Sequence, residues 1–404
     1  RRGFRFNAEI EKNSEISLKE VSQLIEQNQT IDINLNKTKF WQMVPRQTLF
    51  LGTIIFCGIV AMVSFYAWQT NLKANVIADQ QNKMPDRGTK SIEAYQAYLR
   101  GRELWQTRDN SQMEQGIVFF KRAIEIDSNY ASPYIGIADS LSMMRDDAED
   151  QRQAEEYIQK ALTLQPNSAE AHATLGFILA MNKWQWKEAE SEFQKALALD
   201  ENSAKSHQWY ATLLLIGRRF NEAERHLKRA IEIEPLSPNY NADLCELYYF
   251  ANRGDQLMSQ CRTLHELNPS FPLDTTLTSF YINQKRYDEA VKEAIETGIR
   301  HGVTETQIKN AAWYKAYQKD GIRGWILANI NKPNYPNDSP LNYYNQSLNY
   351  AQLGEREKTI EYLEKAFDGH AFMLPFANAR PEFNFIRNDS RFQNLMQRSG
   401  LNQN

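Results

Sequence analysis

The sequence predicts an all-α chain in which one transmembrane helix is followed by a helical-repeat superhelix, and two observations carry that prediction. Residues 49–68 run without charge or proline, and from about Ser91 onward small and apolar residues recur at fixed helical offsets with a period near 34 residues. The chain has 404 residues, 42% hydrophobic and 24% charged, which is the balance of an ordered protein longer than one ordinary domain. A formal net charge of −3 does not suit bulk binding of a polyanion. Three cysteines are too few for a disulfide scaffold or a cysteine zinc site. The first residue is Arg1 rather than methionine, so further sequence is expected upstream.

The elements follow in order. Arg1–Phe6 reads RRGFRF: Gly3 permits a tight turn, Phe4 and Phe6 alternate to one face of a strand, and Arg1, Arg2 and Arg5 suit phosphate or narrow minor-groove contacts. On its own the segment reads as a basic tail or a membrane-proximal charge cluster. Residues 7–48 form a polar tether in which only Ile16–Ile25 has helical spacing. Leu49–Trp68 (LFLGTIIFCGIVAMVSFYAW) is long enough as a helix to cross a hydrocarbon core of roughly 30 Å, with Tyr66 and Trp68 placed as interface anchors. Lys37, Lys39 and Arg46 precede it closely and Lys73 and Lys83 follow, a bias that puts the N-terminal side in the cytoplasm. Residues 69–90 are a second polar linker.

From residue 91 the repeats organise the chain. Gly116, Phe120 and Ala123 are spaced by four and then three. So are Ala154, Ile158 and Ala161; Ala189, Phe193 and Ala196; Ala223, Leu227 and Ala230; Leu257, Cys261 and Leu264; Ala290, Ala294 and Thr297; and Thr359, Leu363 and Ala366. A degenerate set starts at Gly324. Offsets of four and seven share one helix face, and the residue at offset twelve, often Pro or beside Asn, ends the helix. A second small residue stands in the preceding helix, at Ala138, Gly176, Ala211, Cys245 and Ser347, so that two antiparallel helices can approach closely. In-phase sets at this period are the mark of tetratricopeptide-type units.

The segments EAYQAYLRGRELWQ, AIEIDSNYASPYIGIADS and YAQLGEREKTIEYLEKAF…PEFNFIRNDSRFQNLMQRSGL resemble the repeat region of bacterial winged-helix regulators, over roughly residues 91–401. Asp389-Ser390 departs from the Asp-Pro common in such tails. RRGFRF resembles the last strand of an OmpR/PhoB-type winged helix, and the order of stub, tether, span and repeats resembles the CadC/ToxR class of membrane-integrated regulators. The resemblance implies a winged-helix remnant at 1–6, a cytoplasmic linker at 7–48, an inner-membrane span at 49–68, a periplasmic linker at 69–90 and a periplasmic sensor domain at 91–401. It also implies promoter DNA as a partner through an upstream domain, a protein partner on the superhelix and a homodimer.

No P-loop, dinucleotide turn, nucleophile elbow or HExxH is present, so neither an enzyme, a cofactor nor a metal is expected. His172 and His207 occupy the same place in consecutive repeats; the choice lies between a pH sensor and packing within each repeat, and packing is the simpler reading. Cys245 and Cys261 are a candidate disulfide, although antiparallel pairing sets Cys245 beside Leu257 and leaves Cys261 about one turn (~5–6 Å) away. The function expected is a membrane-anchored one-component regulator whose repeats sense a signal or partner. The alternative is a membrane-tethered scaffold for protein–protein interaction.

Overall fold

The computed structural model describes residues 87–144, 148–268, 274–331 and 336–401, all within one compact unit. Helix pairs succeed one another: α1 (Ile92–Gln106) with α2 (Asn110–Ile126), α3 (Ala131–Met144) with α4 (Ala148–Leu164), and α5 (Ala169–Met181) with α6 (Trp186–Leu199). They continue with α7 (Ala204–Ile216) and α8 (Phe220–Ile233), α9 (Pro238–Phe250) and α10 (Gly254–Leu267), then α11 (Asp274–Asn283) and α12 (Tyr287–Arg300). The short α13 (Glu305–Asn310) and the interrupted α14 (Ala312–Asn331) form an irregular unit. The last pair is α15 (Pro340–Gln352) and α16 (Arg356–Asp368), followed by two 3-10 turns, Leu374–Asn378 and Pro381–Ile386, and α17 (Ser390–Arg398).

Local chemistry sets the helix boundaries. Ser91, Ser168, Ser203 and Ser339 each accept a backbone N–H of the first turn, opening the first helix of a pair. Two residues before six of the second helices the chain turns through the left-handed region, at Arg108, Trp184, Arg218, Asn252, Lys285 and Gly354. That recurrence at non-glycine residues marks one turn geometry imposed by the packing of each pair. Second helices bury a narrow stripe; in α8 it is Ala223, Leu227 and Ala230. First helices lie between neighbours and are buried on several faces, as Trp209, Tyr210, Ala211, Leu214 and Ile216 are in α7. The first helices therefore form the inner layer, with α3, α5, α7, α9 and α11 in contact in turn.

The small residues of the repeat pattern are buried. Ala138, Ala154, Ala161, Ala189, Ala196, Ala211, Ala223, Ala230 and Ala366 are at most 1% exposed, and Gly176 is buried. A Cβ on Gly176 would lie 3.0 Å from Phe193 Cε1 and 3.2 Å from the Ala189 carbonyl. Gly324 is buried, but it follows a break at Asp320 and Gly321, where the backbone leaves the helical region, so the degenerate set belongs to a kinked helix.

One register expectation is corrected. Cys245 on α9 and Cys261 on α10 are disulfide-bonded, with Cα atoms 5.5 Å apart. The sequence register pairs Cys245 with Leu257 and so misplaces the contact by about one turn. Cys57, the winged-helix remnant with Arg1, Arg2 and Arg5, the tether, the span at 49–68 and most of the 69–90 linker lie outside the described residues. Among the described residues no helix is long and apolar enough to cross a membrane.

Candidate functional site

The inner layer carries two sets of features that sequence periodicity does not announce. The first is a buried ion cluster. Lys205 on α7 donates to the carboxylate of Asp139 on α3, which is fully buried, and its Nζ lies 3.0 Å from Thr174 Oγ1 and 3.6 Å from Glu170 Oε1. Thr174 Oγ1 donates to Asp139 Oδ1 at 2.7 Å. Arg102 on α1 reaches Glu170 Oε1 at 3.0 Å and Asp139 Oδ2 at 3.7 Å. Two indoles flank the cations: Lys205 Nζ stands 4.3 Å from the Trp209 ring centre, and the Arg102 guanidinium 4.7 Å from that of Trp105. Burial pushes the Asp139 carboxyl above its ordinary range despite Lys205 and Arg102. Burial also pushes Glu170 upward, but Lys205 and Arg102 outweigh it and hold that carboxyl below its usual value.

The second is the return of the C-terminal segment into the groove. His370 Nε2 meets the Asn182 carbonyl at 2.8 Å, Asn378 Nδ2 donates to the Ile216 carbonyl at 2.9 Å, and Trp186 Nε1 donates to the Ser399 carbonyl at 2.7 Å. The His370 ring stacks on Trp184 at 3.8 Å. Arg380 pairs with the buried Glu382 at 2.9 Å and lies 5.3 Å from the Phe250 ring centre. Between this segment and helices α3, α5, α7 and α9 remains a cavity of about 140 Å³, whose walls include Met143, Phe177, Trp209, Thr212, Glu246, Phe372 and Phe376.

A second periodic feature clamps the repeats. Near the start of four first helices a side chain reaches the carbonyl six residues back: Tyr134 to Ser128 (3.1 Å), His172 to Pro166 (2.9 Å), His207 to Glu201 (3.0 Å) and Asn241 to Pro235 (3.4 Å). Three of them also meet the second helix of their own pair, His172 at Glu192, His207 at His226 and Asn241 at Gln260. His172 and His207 thus hold turns within their own repeats, as the packing reading expects. Between repeats, Arg219 binds Glu190 and Arg253 binds Glu224, both at 2.6 Å. No group of three or more acidic, histidine or cysteine side chains arranged to hold a metal occurs among the described residues.

The family profile of the tetratricopeptide repeat matches residues 342–368, the pair α15 and α16. No protein of curated function matches the sequence. Among solved structures the chain is similar to YrrB, a TPR protein with an unusual peptide-binding site, at 19% identity over 45% of this chain and 89% of that one (TM-score 0.30). It is also similar to a thermophilic TPR protein of Thermus thermophilus (18%, 49% and 98%, TM-score 0.39) and to the type IV pilus biogenesis factor PilW (15%, 56% and 99%, TM-score 0.39). With helix pairs in phase from α1 to α12 and a matched pair at α15 and α16, the described residues have an all-helical repeat architecture of the tetratricopeptide type.

Proposed function

We propose that this chain is a non-enzymatic scaffold that holds a protein partner on the inner face of its repeats. The observation that carries the reading is the row of first helices presenting Arg102, Glu170, Arg108 and Asp243 at the groove, each partly exposed, over the buried rings of Trp105 and Trp209. Arginine and tryptophan on a fixed, partly desolvated surface are the side chains that dominate binding energy at protein interfaces. Photo-crosslinking in intact cells tests the reading. A photoreactive residue replacing Arg102 on the inner face should yield a discrete cross-link to a second protein, and one replacing Lys160 on the exposed side of α4 should not. Equal labelling from both places would count against the groove.

The apolar run at 49–68 supports a membrane tether for this scaffold, with residues 1–48 cytoplasmic and the repeats periplasmic. A second reading adds transcription. It rests on the resemblance of Arg1–Phe6 to the end of a winged helix and on the order of tether, span and repeats. Under it the repeats relay a signal to a DNA-binding domain upstream of Arg1, and a chain extended by about 100 residues, a typical domain length, should retard a specific promoter fragment. A secretory signal or an unrelated domain encoded there would remove this reading and leave the scaffold.

A further inference from the structure

The cavity in the groove originates in the repeat itself. At equivalent places on α3, α5, α7 and α9 stand Asp139, Phe177, Thr212 and Glu246. The short Thr212 between Phe177 and Glu246 leaves a gap, and Phe372 and Phe376 of the returning segment wall it opposite. Its volume of about 140 Å³ is close to the roughly 150 Å³ of a cavity that accepts benzene.

The polarity of the site is one-sided. Asp243 is answered within the protein, accepting from Gln208 Nε2 and lying 3.8 Å from Arg108 Nη2. Among the described residues no hydrogen bond or ion pair engages the Glu246 carboxylate. Burial lifts that carboxyl above its ordinary range, and Arg380 offsets the effect only in part. Arg108, which lines the same cavity, also acts on it, but neither arginine reaches it directly, so this carboxylate stands against aromatic walls without a bonded counter-ion.

We propose that this cavity binds a small molecule bearing a single ammonium group on an apolar body of about benzene's size, with Glu246 as counter-ion and Phe177, Phe372 and Phe376 as walls. The lining carries Asp243 and Glu246 against the single cation Arg108, which Asp243 already engages, so an anion would be repelled and a neutral ligand would leave Glu246 without a direct partner. A cation supplies a charge-assisted hydrogen bond and meets the negative faces of the rings. This assignment does not depend on a protein partner.

Calorimetry on the full chain tests it, with phenethylammonium, benzylammonium and hexylammonium as probes and phenethyl alcohol and phenylacetate as neutral and anionic controls. At least one ammonium should bind saturably, one per chain, and the controls should not. Glu246→Gln should weaken the ammonium about tenfold or more, and Thr212→Phe should abolish binding by filling the gap. Unaltered thermal unfolding of both variants would locate the loss at the site; if Thr212→Phe destabilises the fold, Glu246→Gln decides. Failure of all three ammonium probes, equal binding of phenethyl alcohol, or undiminished binding by Glu246→Gln would overturn the proposal.

Discussion

Lys205 on α7 and Asp139 on α3 form a buried ion pair across the intervening helix α5, joining first helices of repeats that are not neighbours in sequence. Repeat arrays are stabilised chiefly by contacts between adjacent units, so this pair ties three units into one. Lys205→Met should leave Asp139 buried without its nearest cation, at a cost of about 3–5 kcal/mol. The double variant Asp139→Leu with Lys205→Met should recover most of that loss. Chemical denaturation of the four proteins gives the comparison, and additive losses would show that the two groups are not coupled.

The close approach of α5 and α6 predicts sensitivity to size. Gly176→Leu must displace the Phe193 ring or the Ala189 carbonyl, which a Cβ alone would meet at 3.0 and 3.2 Å. The expected destabilisation is about 1–3 kcal/mol, and Ala223→Leu, at a fully buried position, should behave alike. Melting temperatures equal to the parent's would contradict the packing.

These alanine and glycine positions are also where the sequence was most legible. Offsets of four and seven report one helix face, and their phase reports the partner helix, because both contacts lie within one repeat. The ion cluster was not legible: Asp139 and Lys205 are 66 residues apart, and nothing in the period marks them. The returning tail escaped for the same reason, since His370 and Asn182 are 188 residues apart. Cys245 and Cys261 could be assigned to one pair, but a one-turn offset between helices decides bonding, and pattern alone does not set that offset. The cavity follows from Thr212 being shorter than its equivalents, a signal visible only once the repeats are superposed in space.

Acid should weaken the fold through the His207–His226 contact. The ring nitrogens lie 2.8 Å apart, an arrangement that requires at least one neutral ring. Burial and the neighbouring His207 push His226 down to about 4, and burial lowers His207 as well. The unfolded chain takes up these protons near the ordinary value of 6.5, before the folded chain does. The contribution is therefore complete above that value and is lost as pH falls towards 4. His226→Gln should flatten the pH dependence of the melting temperature in this window; an unchanged slope would count against the assignment.

The disulfide gives a stability and a count. It closes a loop of sequence separation 16, for which chain-entropy arguments give about 3 kcal/mol. Reduction, or Cys245→Ser with Cys261→Ser, should lower the apparent melting temperature. Thiol titration of the denatured, unreduced chain should find one free thiol, Cys57, of the three cysteines. Three free thiols in protein isolated from its own compartment would contradict the bond there.

Occupation of the inner groove by the chain's own C-terminal segment is tested most directly by hydrogen–deuterium exchange of the full chain, read on peptides covering residues 370–387. Backbone amides of Ala371, Leu374, Phe376 and Ala379 are hydrogen-bonded, and Leu374, Ala377 and Phe383 are fully buried. These peptides should exchange as slowly as those from α15 and α16. Exchange at the rate of an unstructured chain, with α15 and α16 still protected, would show that the segment does not enter the groove.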